Sequence, residues 1–264
     1  MKWFGFLFTG LLFSGQVLAE EYGEFEFGLG PGWAQIPHYR GSDQDATYVI
    51  PLPYVRYYGK RLRVDREGGR FYFIEQPVFK LDLSASFAPP VDSSDNRARQ
   101  GMDSLDLVFE LGPRIQLDFY ESGDGFFKFR AALPLRAAFA TNGNRTENIG
   151  YVFSPYIQFR INYGLESAFS IGPMWANEAY HDYFYEVRPD QARADRPAYN
   201  AQSGYSGSRI TFTTSYRWRD YWFGMFLRYD RLNGAVFMDS PLIKQQDSLM
   251  VGLGVTWVFK SVQN

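Results

Sequence analysis

The chain has no cysteine in 264 residues, which excludes disulfide staples and a lipid attached through an N-terminal thiol. Beyond residue 19 no apolar run approaches the roughly 20 residues that a spanning helix needs, so a helical membrane protein is excluded. Charge of one sign is also missing. With 27 basic and 29 acidic side chains the formal net charge is −2, and nothing resembles a basic nucleic-acid footprint. Histidine is scarce too: His38 and His181 are the only two.

Aromatic side chains, by contrast, are abundant. They make up 19% of the chain, with 25 Phe and 19 Tyr, yet the mean hydropathy is negative. A transmembrane β-barrel combines these properties, because every second residue of each strand faces a polar interior. The stretch 248–259 has that pattern. Leu249, Val251, Leu253, Val255, Trp257 and Phe259 share one face, and Ser248, Met250, Gly252, Gly254, Thr256 and Val258 share the other. The aromatic pair Trp257 and Phe259 sits where a barrel's last strand meets the bilayer interface.

The first residues predict export. Met1-Lys2 is a short positive segment, Trp3 to Phe13 is apolar, and Val17-Leu18-Ala19 suits a cleavage site after Ala19. The apolar run is too short for an uncleaved membrane helix. A signal peptide over 1–19 and a barrel domain over 20–264 are therefore expected.

Alternation predicts twelve strands, at 22–33, 47–58, 60–66, 70–75, 77–88, 103–119, 126–139, 149–163, 165–175, 208–219, 221–231 and 248–260. Long connections (34–46, 89–102, 176–207 and 232–247) alternate with short turns, with one lapse at 67–69. An even strand count, short periplasmic turns and long external loops describe an antiparallel up-and-down outer-membrane barrel with both termini periplasmic. A soluble β-sandwich also alternates, but strands of twelve or more residues exceed the usual globular length.

Several segments carry a family likeness. They are Gly28-Leu29-Gly30-Pro31, Pro37-His38-Tyr39-Arg40-Gly41-Ser42, Pro51-Leu52-Pro53-Tyr54, the run from Pro197 through Tyr199 to Gly204, Arg231-Leu232-Asn233-Gly234-Ala235, and Asp239-Ser240-Pro241. Together they resemble the MipA/OmpV family of outer-membrane proteins over nearly the whole chain. The resemblance implies a barrel without catalytic residues or a cofactor. It also implies a scaffold between a murein transglycosylase and a murein polymerase, while other members look like adhesins or are linked to permeability. Family members usually stop at the terminal aromatic, whereas this chain adds Lys260-Ser261-Val262-Gln263-Asn264.

Residue chemistry offers little for catalysis. A barrel lipid hydrolase needs Ser and His with an orienting group. His38 with Ser42 and Asp43, or His181 with Asp182, could supply parts, but ordinary loop histidines are the simpler reading. Asp92-Ser93-Ser94-Asp95-Asn96 lacks the glycine and glutamate of a calcium loop, so no metal site is expected. Asp43 and Asp45 could meet ions that bridge lipopolysaccharide, which with outer-membrane lipid is the expected surround.

Alternation points Arg114, Lys128, Arg130, Arg136, Arg160 and Arg217 inward, together with Asp82, Asp106, Glu110, Asp118 and Asp230. Mixed signs favour cross-lumen pairing and a closed platform. A narrow anion-preferring channel is the alternative, since rings of Arg and Lys select anions. The loop 176–207, rich in Tyr and Arg, reads either as an external recognition face or as a segment folded into the mouth.

Overall fold

The computed structural model describes residues 25–65 and 68–262; the expected export signal and the last two residues lie outside them. Side-chain alternation governs the wall. In the last strand Leu249, Leu253, Trp257 and Phe259 are each about half exposed, whereas Ser248, Thr256 and Val258 are covered. Apolar groups face out and polar groups in, the reverse of a soluble protein.

The wall starts with β1 (Phe25–Pro37), β2 (Asp45–Tyr58), β3 (Leu62–Asp65), β4 (Gly68–Glu75), β5 (Phe79–Ala88) and β6 (Leu107–Glu121). It continues with β7 (Phe127–Thr141), β8 (Thr146–Phe153), β9 (Tyr156–Tyr163) and β10 (Leu165–Ala176). A short helix α1 (Glu178–Tyr185) precedes β11 (Gly204–Trp218), β12 (Tyr221–Arg231) and β13 (Asp247–Val262). Neighbours are antiparallel, and β13 returns to β1, from Phe25 opposite Val262 to Gln35 opposite Val251. β8 and β9 are halves of one wall strand, since β7 pairs with both, at Leu135–Phe153 and Ala132–Tyr156. The architecture is a closed twelve-stranded antiparallel barrel.

Where the strands depart from the alternation, the cause is local. The stretch 149–163 is interrupted at Ser154-Pro155, because proline has no N–H for the ladder. Residues 103–106 leave the wall: Leu105 pairs with Val91 across a loop and is buried there. β1 runs on to Pro37, which shortens the first loop to 38–44. The last strand does not stop near Phe259 but continues to Val262, opposite Phe25, Glu26 and Phe27, so the described part of the tail belongs to the wall.

Closure demands small residues. A Cβ on Gly30 would stand 1.9 Å from the Val255 carbonyl oxygen, and one on Gly28 would stand 2.6 Å from that of Trp257. Real Cβ contacts are never that short, so β1 lies against β13 only because these positions carry no side chain. Phe25 and Val262, the ends of the described residues, pair at one end of the barrel, the terminal end; the long loops gather at the other.

Candidate functional site

The loop end is sealed by its own hydrophobic core. Tyr39, Val91, Leu105, Tyr185, Val187, Leu232, Phe237 and Leu242 come from four different loops and pack into one buried cluster. Phe237 stacks on Tyr185 with ring centroids 3.9 Å apart, and Tyr39 Oη donates to the Leu242 carbonyl at 2.8 Å. Arg196 Nη1 donates to the carbonyls of Ala98 and Gln100, which ties the loop after α1 to the loop before β6. The segment 176–207 thus folds inward rather than standing free. Burial raises the phenol pKa values of Tyr39 and Tyr185, and pushes Tyr183 up to about 12.

Neither histidine is an ordinary loop residue. His38 Nδ1 lies 3.0 Å from Asn96 Nδ2, and the same amide nitrogen donates to Ser42 Oγ at 3.1 Å. Asn96 therefore separates His38 from Ser42, while Asp43 is engaged by Arg97 at 2.9 Å. His181 is fully buried, with Nδ1 2.6 Å from the Gln202 carbonyl and Nε2 2.6 Å from Ser206 Oγ. A carbonyl only accepts, so Nδ1 carries the proton and Nε2 accepts from the hydroxyl. Asp182 does not join them; its carboxylate caps the Ala201 N–H. The Ser206–His181 contact, which no local spacing announces, has no carboxylate as third member among the described residues, and both residues are wholly covered. It locks the cap onto β11.

Toward the terminal end the interior wall is lined by charge pairs between neighbouring strands, rather than by pairs reaching across the lumen. Asp118 takes Lys80 at 2.9 Å, Lys128 at 3.1 Å and Arg130 at 3.1 Å. Arg114 grips Asp82 in a bidentate pair at 2.9 and 2.8 Å, and Gln116 donates to the same carboxylate while accepting from Arg130 at 3.1 Å. Arg114 also reaches Tyr156 Oη at 3.2 Å, so the network runs from β5 to β9. Arg160 stands opposite Lys128 in the ladder. Across the barrel Glu26 lies between Arg56 at 3.7 Å and Arg217 at 3.8 Å, and Tyr54 packs on Trp222.

Nearer the cap the balance tips. Arg136 pairs with Glu110 at 3.4 Å, while Asp230 serves both Arg209 at 2.8 Å and Arg40 at 3.3 Å. Arg228 stands beside them over the Phe226 ring, and its buried Nε has no hydrogen-bond partner. A cavity of about 170 Å³ lies among Arg136, Arg209 and Arg228. On the outer face of the cap, a second recess of about 200 Å³ is lined by Arg97, Arg193, Arg196 and Lys244 with Asp43 and Asp195.

The residues of the family likeness fall into two groups. Gly28, Gly30, Pro31, Pro51 and Pro53 belong to β1 and β2, where Pro31 faces Pro51 and Leu29 faces Pro53. The remainder hold the cap. The Gly41 N–H donates to Ser248 Oγ at 3.0 Å, Ser42 is buried, and Tyr199 Oη donates to the Val236 carbonyl at 3.3 Å. Ser240 Oγ donates to the Tyr185 carbonyl at 2.7 Å, half-buried Pro241 follows it, and Gly204 takes φ 151° at the start of β11. At the terminal rim Trp257 and Phe259 pack at 5.6 Å, with Phe27 against Phe259.

A barrel with an apolar outer wall, a polar interior lined with charge pairs and a folded cap defines an outer-membrane β-barrel protein. Residues 29–259 match the family model described as MltA-interacting protein MipA, and the chain belongs to that family. Among its relatives, the MltA-interacting protein of Escherichia coli K12 is 27% identical over 250 residues, covering 92% of this chain and 93% of the relative. The outer membrane protein Omp26La of Vibrio anguillarum is 23% identical over 225 residues, covering 83% and 81%. Of solved structures, Pseudomonas putida OprB at high pH aligns over 90% of this chain and 94% of its own, at 7% identity with a TM-score of 0.41.

Proposed function

We propose that the protein is a non-enzymatic scaffold of the Gram-negative outer membrane, with its termini and short turns in the periplasm and its cap outward. The single observation that carries this reading is the core that four loops build over one end of the barrel, with the Asp82 and Asp118 charge networks along the interior wall toward the other. Such an interior suits a platform better than a solute pathway. The relative named for interaction with MltA supports a lytic transglycosylase as partner; a murein polymerase as the second enzyme of the assembly rests on the family resemblance alone. Lipid and lipopolysaccharide surround the wall.

The partner surface in this reading is the terminal rim, where Phe126 and Tyr163 lie at neighbouring turns with rings 5.9 Å apart. Tyr163 is 82% exposed, an aromatic anchor of the kind that dominates interfaces. The test is binding of the detergent-folded protein to a purified lytic transglycosylase. Tyr163→Asp should weaken it by roughly tenfold or more, the loss of one hot-spot contact. No binding by the unaltered protein would overturn the reading. The cationic recess on the cap favours a second reading, an external adhesin face for acidic saccharide, which binding to immobilised acidic glycans would reveal.

A further inference from the structure

Between β2 and β5 the wall is thin. β3 has four residues and meets β2 only at Tyr57–Val64 and Tyr58–Arg63. β4 pairs with β5 only where Phe71, Tyr72, Ile74 and Glu75 face residues 80–83. Among the described residues, Asp45–Arg56 of β2 and Ser84–Ala88 of β5 therefore have a strand on one side alone. β12, by contrast, is paired along its whole length on both sides.

Proline keeps that edge unpaired. Pro31 and Pro51 are directly opposed, and two prolines cannot exchange N–H bonds, so theirs is a non-hydrogen-bonded pair. Odd-numbered residues of β2 consequently turn their backbone groups toward the gap, where Pro51 and Pro53 offer no donor. An added strand would find its ladder interrupted there, which disfavours a protein chain as the occupant. Outward side chains flanking the gap are unusually bare: Val49 is 75% and Phe87 76% exposed, against 38% for Phe223 on β12.

The cavity of about 170 Å³ reaches the β5 side of the gap at Ala85 and Ser86 and extends from there past Ser154 and Tyr156 to Arg136, Arg209 and Arg228. Arg40, Arg136, Arg209 and Arg228 meet only the carboxylates Glu110 and Asp230, and Arg228 makes no ion pair among the described residues. The folded cap covers the loop end of the barrel, and the thin stretch of wall beside the cavity is its shortest way to the membrane. We propose that the barrel opens laterally between β2 and β5, and that the cavity binds the anionic head of a single-chain membrane amphiphile while its apolar chain lies in the opening. The arginines supply the counter-charge, Val49 and Phe87 an apolar threshold, and the small residues Ala85 and Ser86 the passage.

The experiment uses the full chain in phosphatidylcholine nanodiscs with doxyl-labelled stearic acid, its uncharged methyl ester and inorganic phosphate as probes. An immobilised spin-label signal is expected for the acid, weakened roughly tenfold or more for the ester and for Arg228→Gln, as the loss of a hydrogen-bonded charge requires. A fluorophore on Val49→Cys, which leaves the arginines untouched, should be quenched by the doxyl chain more than one on Phe223→Cys in β12, where the wall is paired on both sides. Equal binding of acid and ester, or equal quenching at the two positions, would overturn the proposal. So would full displacement of the acid by inorganic phosphate, which would make the cavity a site for free anions.

Discussion

Tyr185 and Phe237 come from different loops and lie face to face, with ring centroids 3.9 Å apart and planes within 10°. Phe237 is wholly buried, and His181 packs on its edge at 4.9 Å, so this pair is the keystone of the cap. Phe237→Ala should cost roughly 3–5 kcal/mol of local stability, the range for a buried Phe emptied to Ala. Limited proteolysis should then cut within 177–203, while the boiling-dependent gel shift of the barrel is retained.

The Asp82 carboxylate is fully covered and holds Arg114 from two sides. Asp82→Asn would strand a buried guanidinium, and breaking such a pair costs roughly 3–5 kcal/mol. Urea unfolding in lipid vesicles should show that loss. A Ser84→Ala control, which removes a hydroxyl at 3.0 Å from Arg136, should lose far less.

Acidification should loosen the cap. Burial lowers the pKa of His181 below its ordinary 6.5, with the Arg40 charge acting in the same direction and the Gln202 carbonyl against it. Burial lowers His38 too, opposed by Asp45 and Asp95. The opened cap then binds more protons than the closed one, so stability rises with pH and is lost as pH falls through 6.5 toward the depressed values. Hydrogen exchange of α1 should quicken below neutrality, and His181→Gln should flatten that dependence.

Barrel closure should fail at Gly30. Its Cβ would sit 1.9 Å from a backbone oxygen, whereas one on Gly69 would meet nothing within 4 Å. Gly30→Ala should lower the folded yield, read as the fraction of heat-modifiable protein, and Gly69→Ala should not.

Much of the wall was legible in the sequence because a barrel writes its two faces into every strand. The strand 221–231 coincides with Tyr221–Arg231, and the neighbouring strands shift by a few residues where loops lend hydrogen bonds. The cap was not legible. Leu105 continues the alternation of β6, yet it leaves the wall because Val91 offers a closer partner. His181 and Ser206 lie 25 residues apart and meet only once β11 is in place. The thin wall did leave a trace, since Pro51 and Pro53 inside a strand mark an edge that is not meant to pair.

The measurement that bears most directly on the closed platform is conductance of the refolded protein in a planar bilayer, after a gel shift has verified folding. A silent membrane at every voltage, with steps appearing only when Phe237→Ala is combined with Asp82→Asn, is expected. Discrete steps from the unaltered protein would contradict the closed platform and make it a channel.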